Sequence, residues 1–341
     1  MSTSSLEEHP SNPGLSDGAT QTPPPPRPRK TINPPTVIYI EGFGRSGTTL
    51  LDAALGQIDG FFSLGELAFL WDRGHAPSEI CSCGSPAAHC PIWGEALDAV
   101  RNSCGATAAQ IAHWRDQAFP RRDSLLAGTR ILDGRIRARS GGYLDATSTC
   151  YHKVAEITGS DILIDSSKSP AYRYLANLLP DVTVHTVHAV RDPRAVVFSW
   201  QRDRAGEGLP ARPVRQTARE WTLGESRAEL LRIRQGGART IIRYEDFIAE
   251  PKSAIRTILD DVHQGGKNLD FIEEGRINIS PNHIVCGNPS RFRTGAISLK
   301  PDSEWKTKMC WGHVASVTSL CLPWIARYSY PILNPRRNTI R

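Results

Sequence analysis

The apolar run Val37-Ile38-Tyr39-Ile40 passes directly into Glu41-Gly42-Phe43-Gly44-Arg45-Ser46-Gly47-Thr48-Thr49-Leu50-Leu51. This is a strand, a glycine-punctuated loop and the start of an apolar helix. Such a succession predicts an anion cradle, because the N–H groups of the loop and first helical turn converge where the helix dipole is positive. Glycine lets the backbone approach an oxyanion closely, and the Thr48 and Thr49 hydroxyls add donors. The spacing from Gly42 to Gly47 fits a Walker A loop, G-x-x-x-x-G-K-[ST], but Thr48 stands where the lysine belongs and the positive charge lies upstream at Arg45. The loop is therefore read as a cradle for a phosphate-like group, without the triphosphate and metal chemistry of an NTPase or P-loop kinase.

A second segment repeats the arrangement. Val182 to Val190 reads as a buried strand and ends in Arg191-Asp192-Pro193-Arg194, with Ser199 and Trp200 following. Asp192 suits an N-cap and Pro193 the first helical position, which leaves Arg191 at the carboxyl edge of the strand and Ser199 about two turns into a helix. Open α/β sheets hold ligands outside the carboxyl ends of their strands. Two anion sites on such ends suit a nucleotide with phosphates on both sides of its ribose.

In these two motifs the chain resembles the sulfotransferases that use 3′-phosphoadenosine 5′-phosphosulfate (PAPS), and the resemblance extends over roughly residues 35–330. Gly44-Arg45-Ser46-Gly47-Thr48-Thr49 looks like that family's 5′-phosphosulfate loop, and Arg191-Asp-Pro-Arg with Ser199 looks like its 3′-phosphate site. Asp165-Ser166-Ser167-Lys168 is similar to a segment of bacterial relatives. Tyr244-Glu245-Asp246 looks like a strand end whose tyrosine approaches the nucleotide. Gly287-Asn288-Pro289-Ser290-Arg291, followed by Asp302 and Trp305-Lys306, resembles a loop that closes over the cofactor. The Lys-x-x-His segment of the cytosolic hydroxysteroid and phenol enzymes does not occur. The layout is closer to the bacterial and tyrosylprotein types, in which a glutamate shortly after the first helix is the base, and Glu66 occupies that place.

The resemblance implies sulfuryl transfer from PAPS to a hydroxyl by in-line displacement, releasing PAP, with no metal required. The expected catalytic residues are Glu66 as base and Lys168 as the cation on the leaving oxygen. Gly44, Arg45, Ser46, Gly47, Thr48 and Thr49 would hold the 5′ end, Arg191, Ser199 and Arg291 the 3′-phosphate, and Tyr244 would approach the nucleotide. A carbohydrate, glycolipid or other small alcohol would serve as acceptor. Among ten histidines, His75 and His283 are the substitutes for the base, whereas His185 and His188 alternate within a strand and are read as core or strand-face residues.

Strands are expected near 37–41, 161–165, 182–190 and 239–244, and helices near 48–57, 170–179, 192–203, 214–235 and 251–262. Apolar strands alternating with helices predict an α/β fold: a P-loop-like parallel sheet flanked by helices on both faces, with a helical insertion after the first helix. That insertion, 66–158, is read as an acceptor-binding cap, the aromatics in it and just before it (Phe61, Phe62, Phe69, Trp71, Trp93, Trp114) mainly packing it. The chain of 341 residues divides into a Pro-rich, disordered tail over 1–35, one sulfotransferase domain over 36–332 and a short tail over 333–341. No secretory h-region or uninterrupted apolar span of about 20 residues occurs, which predicts a cytoplasmic protein without a transmembrane segment. The stretch 314–333 is broken by Pro323, Arg327 and Pro331 and reads as a core helix with an extended end. Net charge is +6, with arginines clustered over 191–243. A polyanionic small cofactor accounts for this bias, and no nucleic-acid partner is expected.

Eight cysteines include Cys81-Ser-Cys83-Gly-Ser-Pro-Ala-Ala-His89-Cys90. Three thiols and His89 make four zinc-type ligands, but neighbouring His89 and Cys90 would strain to ligate together, and C-x-C is not the usual finger spacing. Reduced structural thiols are the leading reading, a disulfide the second and a metal the third.

Overall fold

The computed structural model describes residues 34–73, 79–120, 123, 129–202, 211–237 and 239–332. The expected tail 1–35 (Pro34 and Pro35 apart), the tail 333–341 and His75 lie outside them. In chain order the elements are β1 (Thr36–Glu41), α1 (Thr48–Leu55), β2 (Phe61–Gly65), a 3₁₀ turn (Leu67–Phe69), α2 (Leu70–Arg73), α3 (Trp93–Cys104), α4 (Ala108–Ala118), α5 (Arg130–Arg139) and α6 (Tyr143–Thr158). There follow β3 (Ile162–Lys168), α7 (Pro170–Ala176), β4 (Thr183–Val190), α8 (Pro193–Gln201), α9 (Val214–Gln235), β5 (Arg239–Arg243), α10 (Tyr244–Ala249) and α11 (Pro251–Asp261). The last are β6 (Ile272–Glu273), β7 (Arg276–Ile279), β8 (Gly295–Ser298), α12 (Trp305–Lys308) and α13 (Trp311–Arg327).

The main sheet runs β2-β3-β1-β4-β5 with every pair parallel. This is the α/β architecture that alternating apolar strands and helices predict. β1 sits in the middle, and its residues 37–40 are buried because both faces are covered. Ile38 and Ile40 face α1 and α11 through Leu51, Leu55, Ile255 and Leu259. Val37 joins Leu163 on the opposite face, under Trp93, Tyr151 and Tyr174 of the helical layer. A third cluster packs α8, α9 and α13 around Trp221 and Val317. Since β1 lies between β3 and β4, the loops leaving the carboxyl ends of these three strands are neighbours, and the topology reverses there.

Three features depart from the sequence reading. β2 is not among the expected strands: it has five residues, Gly60 and Gly65 bound it, and it gains strand geometry by pairing with β3 at the sheet edge. A small antiparallel sheet, β6-β7-β8, lies where no strand is expected. Helix α13 continues through Pro323 to Arg327, with the Thr222 hydroxyl donating to Leu320 O at 3.2 Å near the interruption. Among the described residues no helix is long and apolar enough to cross a membrane.

Candidate active site at the carboxyl ends of β1, β3 and β4

The loop from β1 to α1 needs glycine at two points. Gly42 (φ +156°) lies so close to β4 that a Cβ there would sit 2.4 Å from Ala189 O. Gly47 (φ +83°) is the left-handed N-cap of α1, and a Cβ would sit 2.5 Å from the Tyr244 ring. Arg45 also adopts a left-handed conformation (φ +77°), one that costs a non-glycine residue free energy and concentrates at functional sites. No side chain caps α1, so its first N–H groups, which have no intrahelical partner, remain available to a ligand. Three contacts hold the loop in place. Trp200 Nε1 donates to Gly44 O (3.2 Å), Arg191 Nη1 donates to Arg45 O (2.9 Å), and Arg45 Nε donates to Ser199 Oγ (3.1 Å). The two anion motifs read from the sequence therefore meet in one place. Ser46 and Thr48 are buried within the loop, and Thr49 is half-buried.

Arg191 leaves the end of β4 and lies 4.4 Å over the ring of Tyr244. Its Nη2 is 2.9 Å from Asp302 Oδ2, which Arg202 also approaches at 3.1 Å. Its buried Nε lacks a well-directed partner. The second arginine of the motif has a different task. Arg194 grips the N-cap carboxylate of Asp192 (2.9 and 2.7 Å), lies 4.7 Å over Trp305 and donates to Pro331 O (2.8 Å). It fixes the start of α8 and so the direction of Arg191.

Glu66 and Lys168 come from different strand ends and form an ion pair. Gly65 ends β2 with φ +75°, and Glu66 starts the 3₁₀ turn, its carbonyl accepting from Phe69 N (3.0 Å). Lys168 ends β3 with φ +67°. The residues before it connect these ends. Asp165 accepts from Tyr151 OH (2.7 Å) and Ser167 N (2.9 Å), Ser167 Oγ accepts from Ala68 N (2.9 Å), and Ser166 Oγ donates to Asp52 of α1 (2.8 Å). The register of β3 against β1 shifts over Ser166 and Ser167, a bulge of the kind that re-aims side chains beside active sites. Burial raises Asp52 to about 7 and Asp165 to about 6, although the serine hydroxyls and Tyr151 favour the ionised forms.

Arg291 stands apart from Arg191 and Ser199 in this structure. Its Nη2 pairs with Glu79 (3.0 Å) and its Nη1 donates to Gly287 O (2.9 Å). Gly287 in turn lies against Glu66, where an added Cβ would be 3.1 Å from Oε1. A cavity of about 290 Å³ opens beside the ion pair, walled by Phe43, Phe69, Pro170 and Ala228 as well as Glu66 and Lys168. Trp71 and Trp93 are buried, so of the insertion's aromatics Phe69 is the one on the cavity wall.

His188 also reaches that wall, a placement the alternation of β4 does not reveal. Its ring lies between Glu41 Oε1 (3.3 Å) and Glu225 Oε2 (2.9 Å), 6.1 Å from the Tyr328 ring. Burial opposes protonation, but Glu225 and Glu41 outweigh it and raise the imidazole to about 9 from 6.5. A raised folded-state value stabilises the protein fully below the unfolded value and loses that effect as pH climbs through the folded one. The unfolding free energy obtained from urea titrations should therefore fall between pH 6.5 and 9 by an amount on the order of 3 kcal/mol. A His188→Gln variant should lack that alkaline slope, and an unchanged slope would assign it to another group. His185 remains a strand-face residue bonded to Thr240 (2.9 Å). His283 lies beside Cys81 and Cys90, away from the cavity walls.

The profile described as the sulfotransferase family matches residues 35–263, from before β1 to beyond α11. The chain belongs to the sulfotransferase family. Solved structures similar to this sulfotransferase include the sulfotransferase domain of the Synechococcus PCC 7002 olefin synthase (18% identity, 90% of this chain and 98% of that chain, TM-score 0.48). Others are the sulfotransferase domain from the curacin biosynthetic pathway (15%, 88% and 99%, 0.48) and sulfotransferase STF9 from Mycobacterium avium (15%, 88% and 78%, 0.42). No curated protein sequence matches this sulfotransferase.

Proposed function

We propose that this sulfotransferase moves the sulfuryl group of PAPS to the hydroxyl of a small acceptor. One observation carries the reading: the 44–49 loop, the Arg191–Ser199 pair and the Glu66–Lys168 pair occupy adjoining strand ends. The fit to PAPS rests on the uncapped start of α1, the close approach allowed at Gly47 and the buried, unmatched Nε of Arg191. Residues 44–49 would hold the 5′ end, Arg191 and Ser199 the 3′-phosphate, and Tyr244 would lie beside the nucleotide. Arg291, linked through Gly287 to Glu66, would reach the 3′-phosphate only if its loop closes over the nucleotide. When bound, PAPS supplies an activated sulfuryl group.

The chain's own residues then orient the acceptor and move one proton. Glu66 lines the cavity beside Lys168 and takes the acceptor's proton. The Lys168 ammonium aligns that carboxylate and supplies positive charge next to the phosphate cradle, where preorganised charge is most effective. Phe43, Phe69 and Pro170 favour a hydroxyl carried on a compact, partly apolar body.

Calorimetry with PAP tests the donor assignment. PAP should bind in the presence of EDTA and more tightly than ADP. Arg191→Ala should weaken PAP by about 1.5–3 kcal/mol through loss of a charge-assisted contact, and adenosine 5′-phosphosulfate less. Equal affinity for ADP and PAP, or binding abolished by EDTA, would remove the 3′-phosphate assignment.

A further inference from the structure

The cysteine cluster of the insertion acquires a partner that its spacing does not contain. His283, remote in sequence, brings its Nδ1 to 3.3 Å from Cys90 Sγ and 4.0 Å from Cys81 Sγ. These atoms and Cys83 Sγ all lie within 4.8 Å of one another. His89, the histidine next to Cys90, is outside the group. A tetrahedral zinc with Zn–S of about 2.3 Å and Zn–N of about 2.0 Å separates its ligand atoms by about 3.5–3.8 Å. The observed distances bracket that range.

The local backbone presents these atoms. Cys81 to Gly84 forms a tight turn in which Gly84 N donates to Cys81 O (2.8 Å) and Cys81 N donates to Ser85 O (2.9 Å). Gly84 takes φ +91° with open space around it, so the turn turns back on itself without a clash. The His283 loop is clipped to this turn at several points. Ser82 N donates to Ile284 O (2.9 Å), Ser82 Oγ donates to Asn282 O (2.8 Å), and Trp93 Nε1 donates to His283 O. Cys81, Cys90 and His283 are buried and Cys83 is half-buried. Cys81, Cys83 and Cys90 are free thiols, so no disulfide accounts for the convergence.

We propose that Cys81, Cys83, Cys90 and His283 bind one structural zinc ion. Four protein ligands fill a tetrahedral shell and leave no open position for water or substrate, which makes the site closed rather than catalytic. Binding takes the three sulfurs as thiolates and His283 through unprotonated Nδ1, and the thiol protons pass to solvent. The metal fastens the loop at 282–287 to the base of the helical insertion. From His283 that loop runs to Cys286, which bridges Gly65, and to Gly287, which lies on Glu66. The zinc therefore holds in place the segment that backs Glu66. The reading is independent of the donor and acceptor assignments.

Elemental analysis of the full chain, purified without chelator, should find about one zinc per molecule. Replacement by Co²⁺ should give the intense visible bands of a tetrahedral thiolate site. His283→Ala and Cys83→Ser should lose the metal, whereas His89→Ala should keep it. Should the ligand variants fail to fold, the cobalt spectrum of the wild-type chain still decides coordination number and thiolate content. Wild-type protein that is metal-free and takes up neither Zn²⁺ nor Co²⁺ under reducing conditions overturns the proposal. So does loss of metal in His89→Ala with retention in His283→Ala.

Discussion

Glu66→Gln should lower kcat by about 10²–10⁴, the span general-base catalysis ordinarily contributes. The substitution keeps the shape of the side chain and removes only its capacity to accept a proton. Nucleotide affinity should not fall, and it should rise slightly, because the Lys168 ammonium loses the carboxylate it now pairs with. Lys168→Ala should also lower kcat but weaken PAP binding, since it deletes positive charge beside the cradle. Acceptor acidity separates the two: a phenol ionised at the assay pH needs no base and should rescue Glu66→Gln but not Lys168→Ala. Near-normal turnover of Glu66→Gln with an alkyl alcohol would move the base elsewhere. His188 shares the cavity wall, but it stays protonated to about pH 9 and is a poor proton acceptor. His283 is not among the residues that wall the cavity and lies with the cysteines instead.

The anion loop and the α8 start were legible because each is a local event. Gly42, Gly47, Asp192 and Pro193 report backbone conformation directly, and the helices follow within a few residues of where those signals place them. The expected helix over 214–235 coincides with α9. β2 was not legible, because four residues between Gly60 and Gly65 show no alternation, and their strand geometry comes from pairing with β3. The same holds for β6-β7-β8, whose strands run two to four residues.

At the site, the sequence showed which residues carry charge but not which of them meet. Lys168 could be placed at a strand end, yet its pairing with Glu66 depends on β2 and β3 being neighbours. The Asp165-Ser166-Ser167 segment was visible as a motif. Its work is structural: its side chains anchor Ala68 and Asp52, which set the positions of the turn behind Glu66 and of α1. Arg291 was placed by resemblance alone, and in this structure it bonds to Glu79 and Gly287. The buried cluster around Glu41 left no local signal, because its members come from β1, α7, β4, α9 and β5.

That cluster carries the largest expected effect on stability. Glu41 is fully buried, and its carboxylate faces Arg173 Nε (3.0 Å), His188 Nδ1 (3.3 Å) and Arg239 Nη1 (3.9 Å). Burial works against its ionisation, but His188, Arg173 and Arg239 together hold it below the usual carboxylate range. Glu225 and Glu229 share the remaining positive charge, at 2.9 Å from His188 and 3.1 Å from Arg239. Glu41→Gln preserves volume and removes one negative charge from a group of buried cations. Breaking one partner of such a set leaves uncompensated buried charge, so the variant should lose about 3–5 kcal/mol in urea unfolding. His188 should also deprotonate more readily without the Glu41 carboxylate, which moves the alkaline loss attributed to it to lower pH. Adding Arg173→Met to Glu41→Gln should recover part of the stability, because the unmatched guanidinium goes with the substitution and an apolar side chain of similar length fills its place. If the double variant is no more stable than Glu41→Gln alone, uncompensated charge is not the cause and the loss comes from disturbed packing at the end of β1. The position matters for catalysis as well, since Glu41 is the last residue of β1 and the anion loop begins at the next one. A residual fold of Glu41→Gln should therefore bind PAP less tightly in proportion to the loosening of that loop, measured by calorimetry at a temperature where the variant is fully folded.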